Sequence, residues 1–161
     1  MLGLVILALA ILFIHPSAQL LPDGSAAPAL KLRDATGLTL TVVPSPAHQP
    51  VVIEFFASNC VTCQQESGTL CRIAATNSAA SVVAVNAGRE TAATVAAYAR
   101  RYSACAVPFL VDPGGGVSRN YEAAVVPTIY LIDRHGSIVY GGVGAPGIEY
   151  VSAHFAHLVG A

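Results

Sequence analysis

Charge is scarce in this sequence: Asp, Glu, Lys and Arg make up 11% of its 161 residues, and the formal net charge is −1. A nucleic-acid binder needs a basic surface that displaces counterions from phosphates, so this balance excludes that class of partner. No internal repeat or low-complexity tract interrupts the chain, which sets repeat architectures aside. There is one C-x-x-C pair and no second C-x-x-C or H-x-x-C to complete four zinc ligands, so neither a metal nor another cofactor is expected. Gly114, Gly115 and Gly116 lack a following lysine and make a turn, not a phosphate loop. The purely apolar run at residues 2–14 falls short of the roughly 20 residues that a membrane-spanning helix needs.

That run, LGLVILALAILFI, fits the apolar region of a secretory signal peptide. Extended to Leu21 it reads instead as a membrane anchor. No Lys or Arg precedes it, and Lys31 and Arg33 follow it, so charge does not orient it. Residues 1–25 are therefore set apart as signal peptide or anchor plus linker. Residues 26–161 form one domain of an extracytoplasmic protein, periplasmic or secreted, tethered to the membrane in the anchored case. Four cysteines can persist there as disulfides, and Cys60–Cys63 with Cys71–Cys105 is one of three pairings they allow.

The rest of the chain alternates strand and helix signals. Residues 30–32 and 38–42 flank a Gly37-containing turn and predict a hairpin. Residues 51–56 (VVIEFF) are apolar on both faces, as in a central parallel strand covered on two sides. A helix from residue 60 to about 75 follows, with Ser58 or Asn59 as its cap. A strand at 81–86, a helix over 90–102, a short strand at 108–112 and a brief helix to Tyr121 come next. Strands at 128–133 and 137–140 flank Arg134-His135-Gly136, and Ile148, Val151, Phe155 and Leu158 share one stripe of a last helix. The pattern predicts an α/β fold in which helices flank a mixed central sheet.

Cys60-Val61-Thr62-Cys63 stands at the strand-to-helix junction. A thiol at a helix N-terminus is stabilised as thiolate by unpaired N–H groups and the dipole. A second thiol one turn along can attack a mixed disulfide and release the product. The bland alternatives are half a zinc site or a purely structural disulfide.

Residues 55–63 (FFASNCVTC) resemble the active-site segment of the thioredoxin superfamily, and Val126-Pro127-Thr128 resembles its cis-proline loop. Residues 108–143 are similar to the TlpA/ResA/DsbE type of membrane-tethered or periplasmic thiol–disulfide oxidoreductase, which inserts an extra helix–strand unit between the two halves. The resemblance covers roughly residues 26–159. It implies a thioredoxin-like sandwich with an N-terminal hairpin, Cys60 as attacking thiol and Cys63 as resolving thiol. It also implies disulfide-bearing protein substrates, often apocytochrome c, and a membrane or periplasmic redox partner. Asn59 stands where the family usually has tryptophan, and Thr62 where proline is frequent. With Val61-Thr62 between the cysteines, the direction of electron flow is open.

Glu54 places a carboxylate inside an apolar strand, which costs free energy unless it has a purpose. By resemblance it is the buried acid that exchanges a proton with Cys63, its pKa raised by desolvation. The alternative is an ion pair or a solvent-reaching position. Glu66, one turn beyond Cys63, either tunes the cysteines as in the reductases or complements the helix dipole. The resemblance implies that Pro127 is cis, with Val126 pairing with an extended substrate beside Val61 and Thr62. Cys71 and Cys105 are either two buried thiols or a bridge closing about 35 residues, worth roughly 3–4 kcal/mol in the chain-entropy model. His154 and His157 are expected in solvent.

The expected activity is protein thiol–disulfide exchange, as a reductase of the cytochrome c maturation type. A thiol peroxidase is a second reading, but it needs a Thr shortly before its Cys and an Arg nearby, and neither accompanies Cys60. A Cu(I) chaperone using the C-x-x-C is a third, with no Met or His near the pair.

Overall fold

The computed structural model describes residues 19–102 and 105–159, so the apolar run at 2–14 lies outside the described residues. Among the described residues no helix is long and apolar enough to cross a membrane.

In chain order the elements are β1 (Leu30–Arg33), β2 (Leu40–Val43), β3 (Val51–Phe56), α1 (Val61–Thr76), β4 (Ser81–Asn86) and α2 (Ala92–Tyr102). They continue with β5 (Phe109–Val111), α3 (Gly116–Asn120), β6 (Thr128–Ile132), β7 (Ile138–Val143) and α4 (Gly144–Leu158). The main sheet has the order β5-β4-β3-β6-β7. β3, β4 and β5 run parallel, while β6 is antiparallel to both β3 and β7. Every residue of β3 is buried, as its position between two partners and under two covered faces requires. The fold is thioredoxin-like, the mixed sandwich that the alternation of elements predicts.

Side chains alternate across the sheet and make two cores. Val52, Phe56, Ala84, Phe109 and Ile129 pack with Cys63, Leu70 and Ile73 of α1, Val95 and Tyr98 of α2, and Ile148, Val151 and Phe155 of α4. Phe56, Tyr98 and Phe109 pack as tilted and edge-to-face rings within this core at centroid separations of 4.7–5.7 Å. Burying a side chain of that size stabilises the fold by roughly 1.5–3 kcal/mol. On the opposite face Ile53, Phe55, Val83, Val85, Leu110, Tyr130 and Ile132 pack with Leu30, Val43 and Tyr121.

The segment before β1 covers this second face. Gly24 N–H donates to Ile138 O, Ile138 N–H donates to Ser25 O, and Ala26 bridges to Ser137 at the β7 edge. After β1 the chain reaches the other edge, where Asp34 bridges to Leu110 and Ala35 N–H donates to Phe109 O. Both sheet edges are thus met by backbone from one N-terminal strap, which limits edge-to-edge pairing with other chains. Buried tyrosines hold it: Tyr121 Oη donates to Pro28 O at 2.7 Å, and Leu21 N–H donates to Tyr130 Oη at 3.1 Å. The turn-forming residues 20–28 therefore lie against the domain, because their backbone groups find partners on β7 and their leucines join the second core.

β7 continues three residues beyond its expected end, to Val143. Its tail turns straight into α4 because glycines face each other. A Cβ on Gly147 would lie 2.9 Å from the Gly142 carbonyl carbon, and one on Gly142 would lie 2.8 Å from Gly147 Cα. That contact sets α4 against the core that carries Cys63.

Candidate active site

β3 ends at Phe56, and three residues later Cys60 begins α1. Cys60 is extended (φ −81°, ψ 107°), and its Sγ accepts the Cys63 N–H at 3.1 Å, so the sulfur itself is the N-cap. Neither Ser58 nor Asn59 takes that place, because Ser58 is engaged elsewhere. Cys60 is bonded to Cys63, with Cα atoms 5.3 Å apart. The two cysteines differ in access: Cys60 is half-buried, while Cys63 is 1% exposed on the buried face of α1. Val61 between them is 64% exposed, and Thr62 is half-buried.

The loop before Cys60 is held by a half-buried polar clamp. The Glu90 carboxylate accepts hydrogen bonds from the Ser58 amide, the Ser58 hydroxyl and the Asn86 side-chain amide. Asn86 Oδ1 in turn accepts the Glu90 N–H at 2.9 Å, and Gln64 Nε2 donates to Ser58 O at 2.8 Å. Asn86 is fully buried at the C-terminal end of β4, paired in register with Phe56. Reading the sequence missed Asn86, Glu90 and Gln64. The signal was available in Asn86, a polar residue closing an otherwise apolar strand, with a carboxylate four residues on.

Two carboxyls lie inside the same region. Glu54 is 3% exposed, on the face of β3 shared with Val52 and Phe56, which pack against Cys63. It makes no ion pair among the described residues. Burial, and secondarily the neighbouring Glu66, raise its pKa from 4.5 to about 8. Glu66 belongs to the buried face of α1 with Cys63, Ser67, Leu70 and Ile73. Among the described residues neither of its carboxylate oxygens has a hydrogen-bond partner. Burial, and then repulsion from Glu149, push its pKa to about 7.

Because β6 is antiparallel to β3, it starts where β3 ends. The last rung is Phe55 to Thr128, which puts Val126 and Pro127 at the cysteine end of the sheet. The Val126–Pro127 bond is cis. Thr128 Oγ1 donates to Val125 O at 2.6 Å, and Gly144 N–H donates to Pro127 O at 2.8 Å, fixing the loop. Pro127 is buried, Val126 half-buried and Val125 exposed.

The other two cysteines are elsewhere. α1 runs back from the site along the sheet, and Cys71, on its third turn, is bonded to Cys105 ahead of β5 (Cα–Cα 5.6 Å). His154 and His157 are exposed on α4, with the His154 ring stacked on Tyr150. Among the described residues no three His, Cys, Asp or Glu side chains form a metal-holding group.

A buried sheet whose central strand delivers a C-x-x-C to the start of a helix, facing a cis-proline loop, defines a thioredoxin-like thiol–disulfide oxidoreductase. The Redoxin family model matches residues 22–153, and the chain belongs to the Redoxin family. Its fold is similar to that of a proposed thiol:disulfide interchange protein DsbE of Chlorobium tepidum, with 24% identity and TM-score 0.76 over 86% of this chain and 99% of that one. A proposed protein disulfide isomerase of Bacteroides thetaiotaomicron is similar at 20% identity and TM-score 0.75, over 88% and 92% of the two chains. A secreted disulfide oxidoreductase of Mycobacterium tuberculosis, homologous to E. coli DsbE, is similar at 18% identity and TM-score 0.68, over 80% and 95%. No curated protein matches the chain in sequence.

Proposed function

We propose that this protein reduces disulfides in protein substrates outside the cytoplasm, with Cys60 as nucleophile and Cys63 as resolving thiol. The observation that carries the assignment of roles is the unequal burial of the bonded pair: only Cys60 reaches solvent, and it does so from a helix N-cap.

In the dithiol form, the Cys60 thiolate attacks one sulfur of a substrate disulfide. That S–S bond breaks, one substrate thiolate leaves and takes a proton, and a Cys60–substrate disulfide forms. Cys63 then loses its proton to the ionised form of Glu54 and attacks Cys60 Sγ, and the proton passes on to the departing substrate sulfur. The second substrate thiol is released, leaving the Cys60–Cys63 disulfide seen here. The substrate gains two electrons and two protons, and a thiol-bearing redox partner restores the dithiol. A carboxyl that ionises near pH 8 exchanges protons readily at neutral pH, which suits Glu54 to give and take the Cys63 proton. Glu66 adds negative potential beside Glu54 and so keeps that proton affinity high. Val126 ahead of cis-Pro127 offers backbone to an extended substrate, flanked by exposed Val61 and half-buried Thr62.

Export is supported by the apolar run at residues 2–14, read as signal peptide or anchor, and by the Cys71–Cys105 bridge, which suits an oxidising compartment. The likeness in fold to DsbE-type proteins and to a secreted disulfide oxidoreductase points the same way, and favours a C-x-x-C-H substrate of the apocytochrome c kind.

The test is trapping with Cys63→Ser. The variant should accumulate a mixed disulfide through Cys60 with a disulfide-bonded C-x-x-C-H peptide and with exported proteins. Absence of any captured thiol, together with rapid peroxide consumption by the native chain, would overturn the reading.

A further inference from the structure

A cleft of about 380 Å³ opens at the cysteine end of the sheet, lined by Arg89, Gly115, Arg119, Glu122 and Ala124. Its place follows from the sheet: the β4–α2 loop, the β5–α3 loop and the approach to cis-Pro127 all lie at the cysteine end. Ala87 N–H donates to Phe56 O, and Glu90, next to Arg89, grips Ser58 two residues before Cys60.

Two guanidiniums meet in this cleft over one glycine. A Cβ on Gly115 would lie 2.8 Å from Arg89 Nε and 3.2 Å from Arg119 Nη1, so both side chains lie directly over this glycine. Arg89 adopts a left-handed backbone (φ 55°), which few non-glycine residues do. Its neighbours hold it there, since Glu90 N–H is bound to Asn86 Oδ1. Both arginines are exposed, and neither makes an ion pair among the described residues. Among the described residues the Arg119 side chain donates only to Gly114 O, and Glu122, which also lines the cleft, pairs with neither arginine. Two like charges held together with neither in an ion pair repel, and an anion arriving between them relieves that repulsion.

We propose that Arg89 and Arg119 bind an acidic side chain of the partner protein close to its reacting disulfide, and so select substrates with Asp or Glu flanking the cysteines. The idea rests on the reading of Cys60 as nucleophile, and the binding arm of the test separates the two.

Two disulfide-bonded peptides, identical except for Glu or Gln beside the cysteines, are compared as substrates. The acidic peptide should be preferred roughly three- to tenfold at low salt, through KM, with the preference fading at high ionic strength. Arg89→Gln should abolish the ratio and Arg89→Lys should keep part of it; the ratio cancels any general loss of activity. Independently of turnover, the Arg89 and Arg119 Nε–H resonances of the oxidised full chain should shift with a cysteine-free Glu peptide and not with its Gln counterpart. Equal rates for both peptides, a preference that survives Arg89→Gln, or unmoved resonances would overturn the proposal.

Discussion

Glu90 is joined to Ser58 twice, its carboxylate accepting both the amide and the hydroxyl of a residue 32 positions earlier. The same carboxylate accepts the buried Asn86 amide, so one side chain ties the end of β4 to the loop that presents Cys60. The redox pair is therefore located by a polar network as well as by the helix.

Glu90→Gln should destabilise the oxidised protein by about 1–3 kcal/mol, since a glutamine places an N–H₂ donor among groups that are themselves donors. The rate at which the reduced Cys60 is trapped should change as well, because Ser58 loses an anchor. Urea unfolding and thiol-trapping kinetics measure the two effects, and a variant matching the native chain in both would show the clamp to be idle.

Stability should fall as pH rises. The unfolded chain ionises Glu54 near pH 4.5, whereas in the fold burial holds its pKa at about 8. Between these values the native state holds the extra proton, so raising the pH favours unfolding. From pH 5 to pH 8.5 the loss is on the order of 4 kcal/mol. Glu54→Gln should flatten that slope in urea titrations. Glu66→Gln should lower the Glu54 pKa, because repulsion between the two carboxyls contributes to its rise.

The Cys71–Cys105 bridge spans a sequence separation of 34 and ties the far part of α1 to the approach of β5. Replacing both cysteines with alanine should cost roughly 3–4 kcal/mol of stability by loop entropy. Cys60 and Cys63 lie at the other end of α1, so disulfide exchange by the folded variant should stay within about twofold of the native rate. Denaturation midpoints and insulin-reduction rates read the two outcomes separately.

Much of this was legible in the chain itself. An unbroken apolar strand, residues 51–56, running into Cys60-Val61-Thr62-Cys63 specifies a central strand and a thiol pair at a helix start, because both signals are local. The Glu54 carboxylate stands out for the same reason, as a polar intrusion into an apolar run. The stripe of Ile148, Val151 and Phe155 likewise announces how α4 packs.

Three other features depend on residues distant in sequence, and only the folded chain brings those together. Ser58 looked like a helix cap, yet Glu90 takes its hydrogen bonds and Cys60 Sγ becomes the cap. The chain up to residue 25 reads as leader plus linker, but β7 and two buried tyrosines bind residues 21–28 to the sheet. Arg89 and Arg119, thirty positions apart, meet over Gly115 because parallel strands return both loops to one end of the sheet. Periodicity and local spacing encode elements and the thiol pair, whereas partners drawn from separate loops exist only once the sheet has closed.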